Sequence, residues 1–154
     1  MKRIVSGGQT GVDRGALDAA LDAGFPCGGF CPPGREAEDG RIPDRYPLTE
    51  MPAGGSLERT IRNVEESDGT LVIHFGPPRG GTERTVFHAR RLGRPILLIN
   101  GDTTDPVQAV ARTVAFVAEH RIAVLNVAGP RASQSPRAHD HAYETVTRIL
   151  RPAG

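Results

Sequence analysis

Apolar residues along the chain follow two alternating patterns. Short continuous runs, Ile4-Val5, Thr70-Leu71-Val72-Ile73, Ile96-Leu97-Leu98-Ile99 and Ile122-Ala123-Val124-Leu125-Asn126-Val127, read as strands. The fuller of these, rich in β-branched residues, have the pattern of strands buried on both faces of a parallel sheet. Between the runs, apolar residues recur at helical spacing. Ala16, Leu17, Ala19, Ala20, Leu21 and Ala23 form one stripe, with Asp13, Arg14, Asp18 and Asp22 on the wetter side and Gly24 as the stop. Ser56 is the expected N-cap of a second helix through Leu57, Ile61 and Val64 that ends near Ser67. A third carries Val86, Phe87, Ala89 and Leu92 and closes at Gly93. A fourth opens at Asp105-Pro106 and carries Val107, Val110, Ala111, Val114 and Val117, and a terminal helix spans 142–150. Strands alternating with helices predict a single Rossmann-like doubly wound α/β domain over residues 1–154, its sheet mainly parallel with helices on both faces. Residues 25–30 make only a short extended segment, and 35–47 form a long, charged, proline-punctuated loop.

Three glycine loops follow predicted strands, at Gly7-Gly8 with Gly11, at Gly80-Gly81 and at Gly129. Ligands of such sheets bind outside the carboxyl ends of the strands, so all three loops fall on the ligand edge. A helix that starts there presents unpaired N–H groups and the positive end of its dipole, which suits a phosphate. Gln9 and Thr10 add an amide and a hydroxyl to the first loop. Asp13 either caps its own helix, pairs with Arg14 or accepts from a ligand hydroxyl. In the second loop Thr82 places a hydroxyl at a helix start, with Arg79 and Arg84 nearby; a plain Thr cap satisfies the same pattern. Neither the P-loop lysine nor G-x-G-x-x-G spacing is present, so the sequence supports neither an ATPase nor an ordinary dinucleotide dehydrogenase. Arg35, Arg41 and Arg45 either stay solvated or fold over a bound anion.

A net charge of +1 over 154 residues argues against a nucleic-acid surface. No leader pattern and no apolar run of membrane-spanning length is present, and two cysteines suit a reducing compartment, so the expectation is a cytoplasmic protein without a membrane partner. Cys27 and Cys31 have no second Cys or His pair at zinc spacing, and no metal ligand is assigned. His139-Asp140-His141 reads as a solvated helix start, and His74 as a satisfied rim residue.

Taken together, Gly7-Gly8-Gln9-Thr10-Gly11-Val12-Asp13, Cys31-Pro32-Pro33-Gly34-Arg35 with Glu38-Asp39-Gly40, Asp44-Arg45-Tyr46-Pro47-Leu48, Ser67-Asp68-Gly69-Thr70-Leu71, Gly80-Gly81-Thr82 and Leu125-Asn126-Val127-Ala128-Gly129-Pro130 resemble the molybdenum cofactor carrier family. That family shares a Rossmann-like superfamily with the cytokinin-activating phosphoribohydrolases, once called lysine decarboxylases, and with the DNA-processing protein. The resemblance implies a pocket for a phosphorylated pterin, molybdopterin, or for a nucleotide-derived ligand. It places that ligand against residues 7–11 and 80–82, with Arg35 and Asn126 nearby, and implies a homo-oligomer, a dimer or tetramer. The phosphoribohydrolase pattern P-G-G-x-G-T-x-x-E carries a catalytic glutamate where this chain has Thr85, and Glu83 stands two positions early, roughly half a turn of helix away. Phe30 stands where the family pattern more often has Trp. The expectation is therefore a carrier with no catalytic residue. The rivals are a nucleotide hydrolase using Glu38 or Glu83, and a nucleotide-sensing module marked by an exposed apolar patch.

Overall fold

The computed structural model describes residues 1–151; the last three residues of the expected 1–154 span lie outside the described residues. In chain order the elements are β1 (Arg3–Val5), α1 (Val12–Asp22), β2 (Cys27–Gly28), β3 (Phe30–Cys31), a 3-10 turn (Pro33–Arg35), β4 (Glu36–Ala37), β5 (Gly40–Arg41), β6 (Thr49–Glu50), α2 (Ser56–Glu65), β7 (Gly69–His74), α3 (Gly80–Arg91), β8 (Ile96–Asn100), α4 (Pro106–His120), β9 (Val124–Ala128) and α5 (Ala138–Leu150). The central sheet has the order β2-β1-β9-β7-β8, and every pairing in it is parallel. From β1 the chain passes through α1 to β2, and from β7 it passes through α3 to β8, in opposite directions along the sheet. Right-handed crossovers put those two helices on opposite faces. Consistent with this, α1 and α4 both pack on α5, while α2 packs on α3. The chain is a Rossmann-like α/β fold with a topological switch above β1, β9 and β7.

The apolar runs behave as the periodicity predicts. Leu71, Val72 and Ile73 of β7 and Leu125 and Val127 of β9 are fully buried beneath the helices. The residues between 25 and 52 are less irregular than their sequence suggests. There β3 pairs with β6, β4 pairs with β5, and Leu17, Cys31, Ile42 and Tyr46 form a second small core under α1. Arg35 organises that segment. At φ 55° in the left-handed region, it sends its guanidinium into the loop, where it donates to the carbonyls of Ile42 (3.1 Å), Pro43 (2.8 Å), Tyr46 (2.8 Å) and Leu48 (3.4 Å).

Three local expectations change. The wetter face assigned to Asp13 and Arg14 is buried, because Arg14 donates both to Gly8 O (2.9 Å) and as a fork to Asp39 (2.6 and 2.8 Å). On α4 the predicted stripe splits: Val107 and Val114 point outward, 59% and 51% exposed, Val110 and Val117 are half-buried with Val117 packed on the core, and Ala109, Thr113 and Phe116 face inward. The terminal helix starts at Ala138, four residues before the predicted 142, with its first turn laid against α1 by a His139 to Asp18 hydrogen bond (2.8 Å).

Candidate functional site

A groove of about 340 Å³ opens at the carboxyl ends of β1, β9 and β7. This lies at the small end of the usual range for ligand pockets. Its far wall is the start of α3. Among the described residues no hydrogen-bond acceptor takes the amides of Gly80 and Gly81, while those of Thr82 and Glu83 share the Arg79 carbonyl at 3.2 and 3.4 Å. No side chain caps the helix. Thr82 is buried, lines the groove and spends its hydroxyl on no hydrogen bond within the chain. Arg84 and Gln134 also line the groove, Gln134 standing 3.7 Å from a Cβ built on Gly80, while the Arg131 guanidinium is turned to Glu38 (3.4 Å) at the rim. Unpaired amides at the positive end of a helix dipole, a free hydroxyl and the Arg84 guanidinium make an anion pole.

The first glycine turn is built differently. Gln9 N–H donates to Asp13 Oδ2 (3.2 Å), Thr10 N–H to Gln9 Oε1 (3.0 Å), Val12 N–H to Pro130 O (3.2 Å) and Arg14 N–H to Gln9 O (3.2 Å). These four amides are spent inside the protein, while those of Gly7, Gly8 and Gly11 make no hydrogen bond among the described residues. The glycines here admit protein rather than ligand. A Cβ on Gly7 would stand 1.5 Å from an Arg59 guanidinium nitrogen, one on Gly8 2.4 Å from Leu48, and one on Gly11 2.3 Å from Pro130 O. Gly129 is likewise packed, under Ile73 O at 2.2 Å.

Between the two turns the floor carries Asp13, Arg59, Thr60, Asn63 and Asn126. Asp13 and Arg59 form a buried pair at 3.3 Å, with Arg59 laid over Gly7 and its Nε without a partner. Burial pushes the Asp13 carboxyl above its usual pKa, against the opposing pull of Arg59 and the Gln9 amide. Asn63 is committed to structure: it accepts from Phe30 N–H (2.8 Å) and donates to Phe30 O (3.0 Å). Asn126, 3% exposed, donates to Thr70 Oγ1 at 3.3 Å and keeps its carboxamide oxygen free of chain partners.

Of the residues expected to bind a ligand, Gly7, Gln9, Asp13, Gly80, Gly81, Thr82, Asn126 and Gly129 line the groove. Gly8, Thr10, Gly11 and Arg35 do not. Thr10 is held at the rim between Glu38 and the Ala132 amide, and Arg35 is saturated by the loop carbonyls. Glu38 also lies at the rim, bound by Ser133 Oγ (2.5 Å), Thr10 and Arg131 (3.4 Å); the Ser133 and Thr10 bonds hold its carboxyl below the usual range. Neither Glu38 nor Glu83 lines the groove, and Thr85 turns its hydroxyl back to Gly81 O (3.1 Å). Arg59 was not among the expected residues. Its signal is the polar stripe Ser56, Arg59, Thr60 and Asn63, which repeats at helical spacing along α2. His74 closes its own turn, its Nδ1 2.7 Å from Gly76 O. Burial pushes the Cys27 and Cys31 thiols up, and neither lines the groove.

The profile of the circularly permutated YpsA SLOG family matches residues 4–150. A crystal structure from Syntrophus aciditrophicus SB, at 1.45 Å resolution and bearing the name "Putative molybdenum carrier protein", is 41% identical in sequence. It superposes with a TM-score of 0.94 over 97% of this chain and 95% of that one. No curated protein matches the chain.

Proposed function

The chain belongs to the circularly permutated YpsA SLOG family, and on that footing we propose that it is a carrier for a phosphate-bearing pterin, with molybdopterin the candidate. The observation that carries the reading is the free start of α3, where the Gly80 and Gly81 amides and the Thr82 hydroxyl face a groove of about 340 Å³. The name borne by the structural relative points to the same cargo.

The donor set fits the organic part of such a cofactor. The phosphate sits on the α3 amides with Arg84 supplying charge, and the ring lies over Asn126 and the Asp13–Arg59 pair. Among the described residues no three His, Cys, Asp or Glu side chains gather where they would hold a metal. In this reading a bound molybdenum keeps the donors of its own ligand, and the metal centre supplies its redox chemistry to whichever enzyme receives it. The protein's part is to bind and shield.

The test is purification without air from the native host, followed by metal analysis and by fluorescence of the oxidised pterin. Co-eluting pterin with molybdenum supports the carrier. A co-eluting nucleotide without pterin replaces it with the nucleotide reading.

A further inference from the structure

Among the described residues Asp13 is the one acidic side chain that lines the groove. A carboxylate beside an anion pole repels the anion, and burying it costs free energy. Its pairing with Arg59 answers for only one of its oxygens. Oδ2 takes both the Gln9 amide (3.2 Å) and Arg59 Nη1 (3.3 Å). The Ser6 hydroxyl beside the carboxyl gives its proton to Val127 O at 2.6 Å. A carboxylate has about four lone-pair sites. Among the described residues no hydrogen bond reaches Oδ1, and Asp13 lines the groove.

Position in the sheet narrows what those sites receive. Asp13 follows β1, the α3 amides follow β7, and β9 lies between them. Two strand spacings give acceptor and anion pole a lateral offset of about 10 Å, to which the placement of α1 and α3 on opposite faces of the sheet adds. A ribose hydroxyl hangs only a few bonds from its own 5′-phosphate and falls short of that span. The outer edge of a heterocycle, reached across the sugar or side chain, meets it. Asn126, on the intervening strand, lines the groove between them.

We propose that Asp13 Oδ1 accepts from the ring N–H and adjacent amino group of a 2-amino-4-oxopyrimidine ring, the edge common to pterins and guanine, while the phosphate of the same ligand rests on α3. This rests on the phosphate reading above and adds the ring class. Hypoxanthine lacks the amino group. Adenine sets a bare ring nitrogen beside its amino group and turns a lone pair toward the carboxylate.

The experiment is calorimetric titration of the full chain with four monophosphates, those of guanosine, a pterin, inosine and adenosine, each repeated with inorganic phosphate as competitor. The expected result is that guanosine monophosphate, the pterin phosphate or both bind, with inosine and adenosine monophosphates weaker by about 10-fold or more, the worth of one hydrogen bond to a charged group. Which of the two binds more tightly identifies the source of the ring. Asp13→Asn, checked for fold by circular dichroism, should bring the four affinities together; if that variant does not fold, the ranking on the native chain decides. Equal binding of all four, displaced by phosphate, overturns the ring assignment and leaves the phosphate reading standing. Binding of none of them, and none of phosphate, overturns both.

Discussion

The two glycine turns begin alike in sequence and end with opposite jobs. Each follows a strand, opens a helix and carries a threonine beside paired glycines. At 7–11 the missing side chains make room for the protein itself: Arg59 over Gly7, Leu48 against Gly8, the Pro130 carbonyl against Gly11. At 80–82 the space stays open, since nothing lies within 4 Å of a Cβ built on Gly81 and only Gln134 approaches one on Gly80, at 3.7 Å. The amides divide in part along the same line: those of Gln9, Thr10, Val12 and Arg14 are spent within the chain, while at the second turn those of Gly80 and Gly81 make no hydrogen bond among the described residues and those of Thr82 and Glu83 share the Arg79 carbonyl. A glycine motif therefore locates a close approach without saying what approaches. Here the first turn packs against the rest of the chain and the second stays open to the groove.

The largest expected effect comes from putting a side chain into the first turn. Gly11 sits at φ 82°, and its new Cβ would lie 2.3 Å from Pro130 O. Gly11→Ala should therefore cost about 3 kcal/mol or more through strain and overpacking, measured by urea denaturation. Gly81→Ala is the control. With open space and ordinary helical backbone, it should stay within about 0.5 kcal/mol of the parent.

At the second turn the effect should move from folding to binding. Gly81→Val and Thr82→Val should each keep the melting temperature and lose about 10-fold or more in affinity for a phosphate-bearing ligand, because they crowd the free amides or remove the hydroxyl. Unchanged affinity in both would take that loop out of the site.

Arg35→Lys sharpens the comparison from the side. Lysine cannot reproduce the fork that reaches four carbonyls, so the 35–48 segment should loosen by about 1–3 kcal/mol. Inorganic phosphate should bind the variant as before, since Arg35 is outside the groove. A selective loss of phosphate binding with unchanged stability would return Arg35 to the ligand.

The smallest effect concerns the lock between α1 and α5. Burial disfavours the charged form of His139, but its hydrogen bonds to Asp18 and Asp140 outweigh this and raise its pKa above the usual value. That stabilisation is full below the unfolded pKa near 6.5 and is lost as pH rises through the higher folded value. The side chain is 40% exposed, so solvent screening keeps the contribution small. A slight loss of stability from pH 6 to pH 8, absent in His139→Gln, should appear in thermal melts, with phosphate affinity following a separate course.

Much of the fold was legible because it rests on local periodicity. Continuous runs such as Leu71-Val72-Ile73 have little alternative to a buried strand, and their alternation with helical stripes sets the layers. The outward turn of Val107 and Val114 was not legible, since α4 has apolar residues on two sides and only packing against α5 and the sheet chooses between them. The positions gathered at the groove were largely visible as glycine loops on one edge. Their division of labour was not, because it depends on contacts between distant segments: Arg59 reaches Asp13 across 46 positions, and Thr10 meets the Ala132 amide across 122. Arg35 shows the same limit. A charged loop residue looks available to an anion until the fold closes carbonyls around it.

Backbone amide shifts recorded by NMR during titration with inorganic phosphate test the division between the turns most directly. Saturable shifts are expected at Gly80, Gly81, Thr82 and Glu83, with Gln9, Thr10 and Val12 nearly still. Saturable shifts at Gln9, Thr10 and Val12 with none at 80–83 would contradict that division.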